Sequence, residues 1–125
     1  NWDTSNVTNM TGMLSSNYHM SSVDVSSFDT HNVTNMSQMF MSCTDLTEIN
    51  VNNFDLSKVT NVSGMFGSCP SLNTIYCDND WSYAPLVTGG KALFYNNTNL
   101  VGAVPFDSTK TGIDMANPTT GYFTA

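Results

Sequence analysis

Positive charge is what this chain has least of. Its 125 residues include three lysines, no arginine and ten acids, for a formal net charge of -7. Nucleic acids and anionic lipid surfaces are held by clusters of basic side chains, so neither is an expected partner. Apolar runs are short too: none approaches the roughly 20 residues needed to span a bilayer, so membrane insertion by these residues is not expected. No basic-then-apolar leader opens the sequence. It begins in mid-pattern at Asn1 and Trp2, and is read as a piece of a longer polypeptide. The three cysteines form no CxxC and pair with no nearby histidine, which argues against a zinc site. His19 and His31 have no nucleophile and orienting acid converging on them in any recognisable pattern, so no catalytic role and no cofactor are expected. Charged residues of either sign make up only 10% of the chain. Hydroxyls and amides of Ser, Thr and Asn must therefore hydrate the surface, as in many extracellular repeat modules.

What the sequence does have is a period. WDTSNVTNMTGML from Trp2 is repeated as FDTHNVTNMSQMF from Phe28, as FDLSKVTNVSGMF from Phe54, and more loosely as WSYAPLVTGGKALF from Trp81. The opening aromatic recurs at spacings of 26, 26 and 27 residues, and Phe106 follows 25 residues later in a unit that is not completed. Self-similarity at such a period marks stacked units, none of which buries its apolar face alone.

Aligned units resolve into columns. Val7, Val33, Val59 and Val87 form one; Met13, Met39, Met65 and Leu93 another; Leu14, Phe40, Phe66 and Phe94 a third; Met20, Leu46, Leu72 and Leu100 a fourth. These stay apolar while their neighbours vary, as interior columns must. Val59, Val62, Met65 and Phe66 fall at i, i+3, i+6 and i+7, which predicts a short helix or 3₁₀ turn near residues 60–67 and its equivalents. Period-two alternation at residues 23–25, 49–51 and 75–77 predicts short strands with one buried face, paired in parallel. The expected fold is an α/β repeat solenoid, with a parallel sheet of one strand per unit of about 26 residues and short helices or turns on the convex side. Residues 1–107 hold four repeats, and residues 108–125 are expected to cap the last one. Trp2, Phe28, Phe54, Trp81 and Phe106 are expected to stack as an aromatic spine at the strand exits.

The pattern Leu46-x-x-Ile49-x-Val51-x-x-Phe54 is close to a leucine-rich repeat, with an aromatic where that repeat usually has Asn or Cys. The F-D-T-x-x-V-T-N-M-S-x-M-F-x-x-C-x-x-L run at residues 28–46, its echo at residues 54–72 and the closing GYFT at residues 121–124 resemble the BspA-type leucine-rich-repeat surface proteins of bacteria. Unit one departs with Asn17 where units two and three have Cys43 and Cys69, and unit four has Ser82 in place of the Asp. The resemblance implies adhesion to host matrix proteins or to other cells, without catalysis.

Several columns carry chemistry beside a plainer structural role. Cys43 and Cys69, one repeat apart and aligned with Asn17 and Asn97, form either a ladder of small buried residues or a disulfide between stacked units. Asp3, Asp29 and Asp55 follow the aromatic and cap the next turn, or share calcium between units. Asp78, Asn79 and Asp80 lack the later Gly and Glu of an EF-hand loop. Sequons at Asn6, Asn9, Asn32, Asn35, Asn61 and Asn96 arise largely from the repeat itself.

The exposed sheet face varies most between units. It gathers Asp24 from unit one, Glu48, Asn50 and Asn52 from unit two, and Thr74, Tyr76 and Asp78 from unit three, as the candidate ligand-binding residues. Extended concave faces are what solenoids bind with. The expected function is a secreted or cell-surface binding module for an extracellular protein or glycan, with no metal and with self-association through repeat ends open. The competing reading is a stalk or filament component.

Overall fold

A computed structural model describes residues 3–82 and 90–125. The first half of units one to three is built from tight turns rather than helix, because its backbone amides alternate between two kinds of partner. In unit one, the amides of Met13 and Ser15 close local turns onto Met10 O and Gly12 O, both at 3.1 Å. Those of Met10, Gly12, Leu14 and Ser16 instead donate sideways to Asn35 O, Ser37 O, Met39 O and Met41 O in unit two, at 2.8 to 3.0 Å. Unit two repeats the arrangement against Asn61, Ser63, Met65 and Gly67, and unit three against Lys91, Leu93 and Tyr95.

The expected helix at residues 60–67 is therefore corrected to consecutive turns. In a helix every amide bonds four residues back, and here alternate amides are committed to the neighbouring unit. Two columns also sit in the left-handed region: Gly12, Gln38, Gly64 and Ala92, and Ser16, Ser42, Ser68 and Asn96, with φ between 53° and 64°. Positive φ at the third residue of a turn is the requirement of a type II turn and is foreign to a right-handed helix. Three-residue turns return side chains to the same side much as a helix does, so the apolar spacing alone does not tell the two apart.

Among the described residues, three short strands follow. β1 (Glu48–Asn50) and β2 (Thr74–Tyr76) pair in parallel, with Ile49 opposite Ile75. The expected pairing of these segments is thus present, displaced by one residue toward the N-terminus. β3 (Phe123–Thr124) adds to the other edge of β2, with Ile75 opposite Phe123. Residues 23–25 are not in a regular strand, although Val25 is buried. Val101 continues the sideways bonding through its amide to Asn73 O at 3.0 Å, but the chain then doubles back, with Val101 bridging Pro105 antiparallel. Close approach of backbone to backbone makes room for β3: a Cβ on Gly102 would lie 2.2 Å from the Tyr122 carbonyl carbon, and one on Gly121 only 2.0 Å from Met115 O.

The predicted interior columns are buried in units two and three, where Val33, Met39, Phe40, Leu46, Met65, Phe66 and Leu72 are fully enclosed. Unit one departs from this, since Met13 is 36% exposed and Val7 and Met20 are half-buried. Val87 and Trp2 lie outside the described residues. Among the described residues, the ring stacking runs down a second column, beside the one expected. Phe40 and Phe66 stack at 5.7 Å, Phe66 and Phe94 at 6.0 Å. Trp81 turns onto Phe66 and edge-on to Phe123 rather than onto Phe54, and Phe106 meets Tyr122. The spine therefore sits inside the turn layer, where neighbouring rings are held one unit apart by the sideways bonds.

All three cysteines are free and buried. Cys43 Sγ donates to Leu14 O at 3.2 Å and Cys69 Sγ to Phe40 O at 3.1 Å, each reaching the preceding unit, and Asn97 Nδ2 does the same to Phe66 O at 2.7 Å. The column is a ladder of donors to backbone carbonyls. The Cys43 thiol and burial together push the Cys69 thiol up, and burial pushes Cys77 up to about 11.

Two outcomes follow from these turns and thiols. Gly64→Ala should cost about 1 kcal/mol in guanidinium chloride melts: φ there is +64° and the new Cβ would meet nothing closer than 3.5 Å, so backbone strain alone decides. In a helix the same change would stabilise by about 0.5 to 1 kcal/mol, so a gain would refute the turn assignment. For the thiols, alkylation should be slow in the folded protein and should reach all three after unfolding without reductant. One reactive thiol in the unfolded chain would show a disulfide instead.

Candidate binding face

Strand alternation places Ile49 and Ile75 in the core and turns the flanking side chains outward. Glu48 stands opposite Thr74, and Asn50 opposite Tyr76, so the four form a two-by-two patch on one surface. Directly opposite side chains on paired strands lie close enough to be contacted together. Glu48 and Asn50 are exposed, Thr74 is half-buried, and Tyr76 is 36% exposed. The row continues onto β3, where Thr124 stands opposite Tyr76. Sequence reasoning missed Thr124, because nothing in GYFT shows which strand it joins.

The remaining candidates divide between recognition and framework. Asn52 Oδ1 accepts the Asp78 amide at 2.6 Å, and Asn52 O accepts Asn79 Nδ2 at 3.4 Å, so Asn52 fastens unit three to unit two. Asn50 Oδ1 accepts the Asn52 amide at 3.0 Å, and Thr74 Oγ1 donates to Asn73 Oδ1 at 2.8 Å. Asp24 Oδ1 accepts the Ser26 amide at 2.9 Å, and hydrogen bonding by the Ser26 side chain and amide holds its carboxyl below the usual range. A shallow depression of about 290 Å³ joins Asp24 and Ser26 to Asn50, Asn52 and Asn53, bringing unit one to the patch. Asn53 was also missed: its Nδ2 donates to Val25 O at 3.0 Å and Phe28 O at 2.9 Å, clamping the floor of that depression. Its column, Ser27, Asn53 and Asn79, was the available signal.

Acids beside the aromatic column serve the turns. Asp29 Oδ1 accepts the His31 amide at 3.1 Å and lies 2.5 Å from His31 Nδ1, and Asp55 Oδ1 accepts the Ser57 amide at 2.9 Å. Asp3 accepts both the amide and the hydroxyl of Ser5, and Asp107 those of Thr109. These hydrogen bonds hold the carboxyls of Asp3, Asp29, Asp55 and Asp107 below the usual range. Among the described residues no three His, Cys, Asp or Glu side chains cluster as a metal site. The sequon residues Asn9, Asn35 and Asn61 are similarly engaged, each Oδ1 accepting the amide two residues on at 2.9 Å. They cap turns.

A second depression, of about 580 Å³, lies between Phe54, Asp55, Leu56 and Ser57 on one side and Asn79, Asp80 and Trp81 on the other. It is open, and Asp80 is already bonded to the Ser82 amide at 2.8 Å and to the Ser82 hydroxyl. The sheet face is the better candidate because its polar groups come from three chain segments in register.

Among curated proteins and among solved structures, none matches this chain. Residues 1–105 match a family described as "Mycoplasma protein of unknown function, DUF285", a span covering the first three sequence units and most of the fourth. The chain belongs to the DUF285 family.

Proposed function

We propose that this protein is a non-catalytic binding module working outside a bacterial cell, which recognises an extracellular protein or glycan through its exposed sheet face. In this reading it is a leucine-rich-repeat-like solenoid, with four units in residues 1–107 and residues 108–125 as cap. It would then be a member of the BspA type of surface adhesins. The observation that carries the reading is the in-register patch of Glu48, Asn50, Thr74 and Tyr76 on β1 and β2. The two strands fix four side chains of different chemistry at set spacings on a rigid support, which lowers the entropy lost on binding. Tyr76 offers a flat ring with few rotamers to lose, flanked by an amide and a carboxylate. Such a set stacks on a sugar ring and bonds its hydroxyls, or seats a peptide loop. Attachment to DUF285, a family described from Mycoplasma, supports the bacterial assignment. The chain's low charge and its hydroxyl- and amide-rich surface support an extracellular place.

Tyr76→Ala should weaken ligand binding at least tenfold in a titration of the chain against matrix proteins and glycans found by array screening, as loss of a central aromatic anchor does. Lys58→Ala should change little, because Lys58 is exposed and bonds Asn32 Oδ1 at 3.1 Å, away from the strands. Binding that survives simultaneous loss of Glu48, Asn50 and Tyr76 would refute the sheet face as the site.

A further inference from the structure

The exposed sheet face carries charge of one sign. Glu48 leaves β1 in the row it shares with Thr74, and Asp24 falls one repeat before Asn50, in the row of Asn50 and Tyr76. Beyond β2 the buried Cys77 continues the alternation and brings the exposed Asp78 to the same side as Tyr76. The Tyr76 ring is thereby bracketed by two carboxylates. Asp78 lies two residues further along the same extended path, about 7 Å away at the usual strand rise. Glu48 is the diagonal neighbour across the strand pair, at about 7 to 8 Å.

Nothing within the described chain neutralises these groups. Among the described residues the ion pairs join His19 to Asp45 and His31 to Asp29, and neither involves Asp24, Glu48 or Asp78. The three lysines of the chain sit elsewhere. Lys58 bonds Asn32 Oδ1, Lys91 belongs to the turn layer, where its carbonyl accepts the Gly64 amide, and Lys110 lies in the segment after the last repeat. Like charges gathered on one face repel one another. A cation arriving from outside relieves that repulsion as well as making bonds of its own.

The side chains left free also favour one class of ligand. Asn50 Oδ1 is committed to the Asn52 amide, Asn52 Oδ1 to the Asp78 amide, and the Thr74 hydroxyl to Asn73 Oδ1. Much of the amide and hydroxyl chemistry that would meet sugar hydroxyls is thus spent on the frame. What stays unengaged is the Glu48 carboxylate and the face of Tyr76, which is 36% exposed. A ring face with a carboxylate beside it suits a guanidinium, which stacks on the one and forks to the other. Resting on the sheet-face reading above, we infer that the occupant is an arginine-bearing segment of a partner protein, laid across β1 and β2 with one guanidinium over Tyr76 and bonded to Glu48. Further basic side chains of the same segment meet Asp24 and Asp78.

The test uses the intact chain and a synthetic peptide of alternating glycine and arginine, acetylated and amidated at its ends. Calorimetric titration at low ionic strength should give saturable one-to-one binding that weakens as salt is added. Replacing each arginine by citrulline keeps the shape and removes the charge, and should cost roughly tenfold or more in affinity. Glu48→Gln and Tyr76→Ala should each weaken the arginine peptide by a similar factor. Glu48 is exposed and its side chain supports nothing in the frame, so the variant should fold normally, as circular dichroism would verify. Asp114→Asn removes the same charge from an exposed position far along the chain and should leave the affinity unchanged. Absence of binding at millimolar peptide, equal binding of the citrulline peptide, or equal losses from Asp114→Asn and Glu48→Gln would each overturn the inference. An N-acetylglucosamine oligosaccharide that binds through Tyr76 but not Glu48, where the arginine peptide fails, would overturn it while leaving the sheet face as the site. Peptide binding indifferent to both Glu48→Gln and Tyr76→Ala would sink the inference and the sheet-face reading together.

Discussion

A buried backbone amide must find an acceptor, and in this chain it finds one about one sequence unit away. The bonds from Met10, Gly12, Leu14 and Ser16 to unit two, and their repetition by units two and three, are the constraint on which the rest of the structure depends. They place equivalent residues beside one another, so a side chain that is apolar in one unit needs an apolar neighbour in the next. They also hold Phe40, Phe66 and Phe94 about one unit apart, close enough for their rings to stack. And they demand that the backbone turn sharply between sideways bonds, which is why two columns per unit adopt positive φ at a cost that glycine escapes at Gly12 and Gly64 but Gln38 and Ala92 do not.

Side chains complete what the backbone leaves over. Thr30 Oγ1 both donates to Asp55 O and accepts the Asp55 amide, and Thr4 does the same with Asp29, so one hydroxyl satisfies two groups of the following unit. Cys43, Cys69 and Asn97 reach back to carbonyls of the preceding unit. Asp3, Asp29 and Asp55, which could have read as calcium ligands, and the sequon residues Asn9, Asn35 and Asn61 each spend an oxygen on the amide two residues ahead. Polar columns in this chain are mostly structural for that reason. Of the outward residues of β1 and β2, Glu48 and Tyr76 are the two whose side chains the frame does not engage, while Asn50 and Thr74 each bond a near neighbour.

That division bears on how the face would work. Glu48 and Tyr76 are held by strand geometry and not by side-chain bonds, so they are free to meet a ligand while their positions are set by the buried Ile49 and Ile75 beneath. Asn52 and Asn53 are bonded across units and make the support rigid. A ligand spanning β1 and β2 would therefore meet a preorganised surface, losing little entropy in ordering it.

Period, columns and the alternation at residues 49–51 and 75–77 were legible in the sequence because burial forces a repeated pattern on any stacked chain, whatever its local conformation. The parallel pairing of Ile49 with Ile75 follows from equal spacing, and it is present. Local conformation was not legible: Val59, Val62, Met65 and Phe66 carry a helical spacing, yet alternate amides in that segment bond sideways, and only neighbouring units supply those acceptors. The patch of Glu48, Asn50, Thr74 and Tyr76 could be read from period two alone, since alternation decides which side chains face outward. The addition of Thr124 to it could not. Where Phe123 and Thr124 pair depends on Gly102 and Gly121 letting two backbones meet at distances a Cβ forbids, a fit that exists only once the chain has folded back on its own edge.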